Sequence, residues 1–212
     1  MIYAENVLIC IAVPLAITLL FTRGSARRLT VSFLTGMLVC LLSAYIGGFL
    51  QKASGYNSDD MSIFMSPIIE EVMKLLPVLF CLYVFEPEYE EMRLTAVGIG
   101  AGFATFENCC FILTSGAQNL GYVLIRGSAV GVMHVVTMVA IAAGLHLLKT
   151  YKVFSFSGVL GTLAISVTFH SLYNLLVSKS GISSYIGYVL PIICAVLLYF
   201  FNFLFKPQDE DK

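Results

Sequence analysis

The sequence predicts an all-α membrane protein: a bundle of about seven transmembrane helices, N-terminus outside and C-terminus cytoplasmic. Three observations predict it. Of 212 residues, 58% are hydrophobic and only 12% are charged, against about 45–50% and about 25% in soluble domains, so too few polar side chains remain to coat a water-facing body. Mean hydropathy is +0.90. The apolar residues fall in stretches of about 20, the length a helix needs to cross about 30 Å of hydrocarbon, and none alternates with period two as barrel strands must. This composition excludes an ordinary cytosolic enzyme and a disordered tail. A net charge of −1 leaves no basic excess for nucleic acid. Residues 1–212 read as one polytopic domain of the cell membrane, with a catalytic core at about 62–178.

The stretches are 2–22, 30–50, 62–85, 94–115, 121–148, 155–178 and 185–205. The first has Glu5 and no basic lead, so it reads as a span and not as a cleaved signal peptide. The third opens near Ser62, has Pro67 in its first turn, and carries Pro77 inside, where the missing N–H frees the carbonyl of Met73. The fourth holds Gly98 and Gly102, and the fifth Gly127 and Gly131. Small residues at that spacing let helices pack closely. Gly98, Gly100 and Gly102 also spell GxGxG, but no strand precedes them, so a nucleotide site is set aside. The cysteines at 10, 40, 81, 109, 110 and 194 lie in apolar runs without a CxxC pair and read as small hydrophobes.

The loops are short. Arg23, Arg27, Arg28, Arg93, Lys149, Lys152, Lys206 and Lys212 fall on one side, against Lys52 and Lys179 on the other. Basic loops stay cytoplasmic, which sets the direction. The acidic loop Glu86–Glu91 reads as a solvated turn. Arg126 reads as an outer headgroup anchor, and His146 as an interfacial residue.

The informative residues are those that lipid does not tolerate. Glu70, Glu71 and Lys74 lie in the third stretch, Glu107 and Asn108 in the fourth, His134 in the fifth, His170 and Asn174 in the sixth. A charge at mid-bilayer costs about 2.5–3.5 kcal/mol on insertion scales, so several must face each other or water. Counted from the helix ends at 1.5 Å per residue, Glu70, Glu107, His134 and His170 each lie about 12 Å below the outer face, and Asn174 about 6 Å. Glu70 and Lys74 share a helix face, as do Glu71 and Lys74, and His170 and Asn174.

Carboxylates and imidazoles around a protected cavity suit water activation. Low dielectric makes a carboxylate a stronger base, and a nearby cation offsets that. Imidazole and carboxamide groups can hold a tetrahedral oxyanion. Ser171 beside His170 makes no dyad, because helix neighbours face about 100° apart, and no HExxH is present. No cofactor is expected on this reading. Zinc is the alternative, since Glu107, His134 and His170 supply a possible ligand set from separate helices.

Glu70-Glu71-Val72-Met73-Lys74 is an EExxK, Phe103 to Asn108 an FxxxEN, and His170-Ser171-Leu172-Tyr173-Asn174 an HxxxN, with His134 alone between them. In this order on consecutive helices, the set resembles the PrsW family of intramembrane proteases, in the wider group with type II CAAX prenyl proteases and the Aph-1 subunit of gamma-secretase. The CAAX enzymes carry EExxxR and FxxxH, where this chain has Lys74 one residue earlier and Glu107. The resemblance implies hydrolysis of a peptide bond in a single-pass membrane protein, of anti-sigma-factor type. By position, Glu70 and Glu71 would activate water, with Glu70 favoured. Lys74 would tune their charge, Glu107 and His134 would hold the water, and His170 and Asn174 would stabilise the oxyanion. Two readings from other classes share these residues. A proton-coupled transporter would relay protons through Glu and His, and an Aph-1-like scaffold would use them only for packing.

Overall fold

The computed structural model describes residues 3–116, 119–152 and 156–204, with side chains to residue 200. Lys206 and Lys212, used above for direction, lie outside the described residues. Among these, the chain is helical with no strand: α1 (Ala4–Thr18), α2 (Gly24–Ser54), the short α3 (Ser58–Asp60), a π-helical turn (Met61–Met65), α4 (Ser66–Phe85), α5 (Tyr89–Ser115), α6 (Leu120–Thr150), α7 (Phe156–Val177) and α8 (Ile182–Leu204). Each of the seven apolar stretches carries a helix of at least 15 residues. Five of them, α2, α5, α6, α7 and α8, are long and apolar enough to cross a membrane. The other two differ for physical reasons. The 15 residues of α1 reach only about 22 Å at 1.5 Å per residue, shorter than the 2–22 span expected. Helix α4 is long enough, but Glu70, Glu71 and Lys74 lower its apolar character.

Local chemistry sets the boundaries. Gly55, at φ +73°, ends α2 and donates its N–H to the Gln51 carbonyl, a left-handed stop that suits glycine. Asn57 caps the next turn by accepting from the Asp60 N–H at 2.8 Å, and Asn119 caps α6 through the Tyr122 N–H at 2.8 Å. Pro67 sits in the first turn of α4, where its missing N–H costs nothing. The π-turn just before it was not foreseen. Such turns add a residue to the helix and recur at functional sites.

Lipid supplies no hydrophobic drive between helices, so close packing must hold them. The α2–α5 seam is the clearest case. A methyl group on Gly102 would fall 1.9 Å from the Phe33 carbonyl oxygen, one on Gly36 2.1 Å from that of Ile99, and one on Gly98 2.6 Å from Ser32 Cβ. Gly100 faces the other way, and its methyl would fall 2.7 Å from the His134 carbonyl oxygen on α6. The GxGxG run is thus a two-sided contact surface. The expectation for Gly127 and Gly131 fails: nothing lies within 4 Å of a Cβ on Gly131, and only the Asn108 side chain nears one on Gly127. That pair is not a close seam. Leu75, Val78, Met92, Ile99, Met138 and Ile141 form one buried apolar cluster. It lies along α4, α5 and α6 on the far side of the polar residues from Ser62 and so closes the bundle beneath them.

Candidate active site

The polar residues of four helices meet. Helix α4 brings Glu70, Glu71 and Lys74, α5 brings Glu107 and Asn108, α6 brings Arg126, His134 and Thr137, and α7 brings His170, Tyr173 and Asn174. Lys74, Glu71 and His134 are 0% exposed, and His170 is 2% exposed. The Lys74 ammonium donates to Glu71 Oε1 at 2.7 Å, to His134 Nδ1 at 2.9 Å and to Thr137 Oγ1 at 3.5 Å. An ammonium only donates, so His134 Nδ1 accepts and its proton sits on Nε2. That N–H donates to Glu107 Oε2 at 2.6 Å. On the other flank, His170 Nδ1 donates to Glu71 Oε1 at 2.8 Å. This leaves the lone pair of His170 Nε2 toward Glu70 Oε2, 3.8 Å away. A chain therefore runs Glu107–His134–Lys74–Glu71–His170 and returns to Glu70.

The two ends of this chain open to one cavity of about 310 Å³, which Glu70, Glu107, Arg126, His170, Tyr173 and Asn174 line. Ser62, Tyr122, Ser178 and Tyr188 also line it, near the end of the bundle where α5 and α7 finish and α6 begins. A larger groove of about 880 Å³ between α6 and α8 is walled by Leu124, Ile125, Val189 and Ile192, and shares Tyr122 and Tyr188 with the cavity.

All seven residues singled out from the sequence reach this cluster, but their surroundings differ from expectation in places. Asn174 donates to the Ser62 carbonyl of the π-turn at 2.9 Å, so one of its amide hydrogens is used to hold that turn. Arg126 is more than a headgroup anchor: it donates to Asn108 Oδ1 at 2.6 Å, lies 3.5 Å from Glu107 Oε1, and stacks over the Phe111 ring at 3.5 Å. Asn108 in turn donates to the Gly127 carbonyl at 3.3 Å. His146 stacks on Tyr89, away from the cluster. Arg126, Asn108 and Tyr173 received no place in the site from the sequence. Tyr173 lies one helical turn from His170 and Asn108 follows Glu107 directly, so periodicity offered a signal for both.

With neutral imidazoles, the three carboxylates Glu70, Glu71 and Glu107 face two cations, Lys74 and Arg126. One negative charge is left over, which favours a proton or a bound cation. Glu70, His134 and His170 each offer a ligand atom within 4.8 Å of the others. The set expected from sequence has Glu107 where Glu70 stands here; Glu107 is tied to the His134 ring and to Arg126. The residues fit a zinc-like ion. Glu70 Oε2 is buried without a protein partner, His170 presents a free Nε2 backed by the Glu71 carboxylate, and two imidazoles with a carboxylate form a catalytic zinc donor set. His134 would have to exchange its bond to Glu107 to take part.

The family model described as PrsW family intramembrane metalloprotease matches residues 24–204. The chain belongs to that family. Every residue of the cluster falls inside the matched span, and residues 1–23 and 205–212 lie outside it. No curated protein and no solved structure matches the chain. PrsW membership together with the apolar helices makes this a multi-pass membrane protein of an intramembrane protease family.

Proposed function

We propose that this PrsW-family chain hydrolyses a peptide bond of a single-pass membrane protein, of the anti-sigma-factor type the sequence motifs imply, with Glu70 as the water-activating base. The carrying observation is the gap of 3.8 Å between Glu70 Oε2 and His170 Nε2. It is too long for a hydrogen bond, and both atoms are acceptors. One water spans it by donating a hydrogen to each, which turns its lone pairs to the cavity. Glu70 Oε2 takes one proton as the water oxygen bonds to the scissile carbonyl carbon, and the carbonyl oxygen gains the charge. Glu70 then returns that proton to the leaving nitrogen as the C–N bond breaks. Glu71 holds the proton of His170 on Nδ1 and so keeps Nε2 an acceptor. Lys74 neutralises Glu71, and through His134 it orients Glu107. The substrate chain reaches the cavity from the apolar α6–α8 groove past Tyr122 and Tyr188. The cavity end faces the cell exterior, as the loop charges predict.

A second reading has one observation of its own in favour, the ligand spacing of Glu70, His134 and His170, and it accords with the family description. These three would hold zinc, which supplies Lewis-acid polarisation and a more acidic water. Glu107, open to the cavity, is then the carboxylate left to take the proton.

The test is co-expression with a panel of single-pass membrane proteins, comparing wild type with Glu70→Gln, Glu71→Gln and His170→Ala. Full cleavage by all three variants would end the hydrolytic reading. Metal analysis of the purified protein, with chelation and zinc add-back, separates the two versions: stoichiometric zinc lost in His170→Ala favours the second. Gradient-driven proton flux in liposomes without cleavage would favour a transporter, and loss of a partner only on helix-face substitutions a scaffold.

A further inference from the structure

The hydrogen bonds around His170 leave a gap in the mechanism. Its Nδ1 proton is given to Glu71 and its Nε2 faces Glu70 as an acceptor, so this ring has no hydrogen for an oxyanion. Asn174 has spent one of its two amide hydrogens on Ser62 and has one left to offer, and the Arg126 guanidinium is held by Asn108 and Glu107. A charge forming on the substrate carbonyl is better held by a further donor that is not already engaged.

Tyr173 is such a donor. It is 2% exposed, and its ring packs in an apolar cluster with Ala104, Val130 and Met133. Its hydroxyl is buried without a hydrogen-bond partner in the protein. An unsatisfied buried polar group costs about 1–3 kcal/mol, and phenylalanine would avoid that cost at the same shape. The residue lines the same cavity as Glu70 and Glu107. On α7 it is three positions from His170 and adjacent to Asn174, so one helix surface carries all three. The two neighbouring cavity tyrosines, Tyr122 and Tyr188, are only partly buried, whereas Tyr173 is the one of the three whose hydroxyl is buried without a partner.

We infer that Tyr173 is a catalytic residue whose hydroxyl donates a hydrogen bond to the scissile carbonyl oxygen as it becomes an oxyanion. The inference rests on the hydrolytic reading above. No proton leaves Tyr173: the hydroxyl only donates, and the bond strengthens as the oxygen gains charge. A fixed donor in a water-poor site acts most on the transition state.

The experiment uses full-length protein in liposomes with a cleaved single-pass substrate, comparing wild type, Glu70→Gln and Tyr173→Phe. Loss of one such donor lowers kcat about 100-fold. KM is expected to stay within about twofold, because the bond matters little to the ground state. The thermal midpoint of Tyr173→Phe is expected to equal or exceed that of wild type, since the ring stays and the unpaired hydroxyl goes. A Tyr173→Phe enzyme with wild-type kcat, beside an inactive Glu70→Gln, overturns this inference and leaves the hydrolytic reading intact. A kcat loss that accompanies a lowered thermal midpoint and raised KM marks a structural role and also overturns it. Absence of cleavage by wild type across the substrate panel overturns both.

Discussion

The inner part of the polar cluster, formed by Glu71, Lys74, His134 and Thr137, does not line the cavity, and its side chains are hydrogen-bonded to one another except at Glu71 Oε2, which is buried without a partner. The outer part, formed by Glu70, Glu107, Tyr173 and Asn174, faces the cavity, and there Glu70 Oε2 and the Tyr173 hydroxyl have no protein partner. Both parts contain carboxylates from the same helix, one residue apart, and in the sequence only the family resemblance favours Glu70 over Glu71. What separates them is the rotation of about 100° per residue, which turns Glu71 onto Lys74 and His170 and leaves Glu70 over the cavity. Paired groups orient and neutralise; unpaired groups at a cavity wall are where a reacting molecule finds hydrogen-bonding capacity unused. On the proposed mechanism, chemistry belongs to the outer part and support to the inner part.

The sharpest way to break it is Glu70→Gln. If the outer carboxylate is the base, cleavage falls about 1,000-fold, within the range of about 10²–10⁴ that a positioned base contributes. The thermal midpoint stays near wild type because Glu70 Oε2 holds nothing in place. Unaltered cleavage, or a large loss of stability, contradicts the division of roles.

The inner part makes the reverse prediction. Lys74→Ala leaves the buried carboxylate of Glu71 without its cation, and breaking a buried pair costs about 3–5 kcal/mol. Thermal melting in detergent is expected to show this directly, with activity lost along with the fold. The double change Glu71→Gln with Lys74→Met removes both charges and is expected to recover most of the stability. Recovery of activity as well would mean that the Glu107–His134–Lys74–Glu71–His170 chain is dispensable.

A scaffold pair calibrates both results. A methyl group on Gly102 meets backbone at 1.9 Å, whereas one on Gly131 meets nothing within 4 Å. Gly102→Ala is expected to cost about 1–3 kcal/mol by overpacking the α2–α5 seam. Gly131→Ala is expected to be neutral or to gain up to about 1 kcal/mol from helix propensity. Melting both variants side by side checks the contrast, and equal midpoints would remove the seam argument.

These contrasts also show where sequence reading stopped. Hydropathy located every long helix, and counting 1.5 Å per residue from the ends put Glu70, Glu107, His134 and His170 at one level, because depth depends only on position along a helix. Rotation was not legible in the same way. That His134 stands between Lys74 and Glu107, or that Glu71 is shared by Lys74 and His170, depends on how neighbouring helices are turned, and the glycine contacts of α5 decide that. Gly98, Gly100 and Gly102 look identical in sequence, yet two face α2 and one faces His134. The π-turn at Met61–Met65 left no compositional mark. Arg126 sits near a helix start, where an arginine ordinarily reaches for headgroups; only the positions of Asn108, Glu107 and Phe111 on the adjoining helix explain why it turns inward.

Arg126 also yields the smallest expected effect and the finest test, since it stands at the boundary of the two parts. It is partly buried and lines the cavity, yet its guanidinium is engaged with Asn108, Glu107 and the Phe111 ring. A lysine keeps the charge but lacks the planar fork and the stacking surface. If Arg126 only positions Glu107, Arg126→Lys lowers kcat about three- to tenfold, which is about 1 kcal/mol, and leaves the thermal midpoint within a degree or two. Arg126→Gln removes the charge as well and is expected to fall further, because the excess of carboxylates over cations in the cluster grows from one to two. Steady-state cleavage by the two variants gives the order. A lysine variant as inactive as Glu70→Gln would move Arg126 out of the supporting set and make it a contact of the reacting atoms, and the boundary between sealed base and open rim would have to be redrawn through α6.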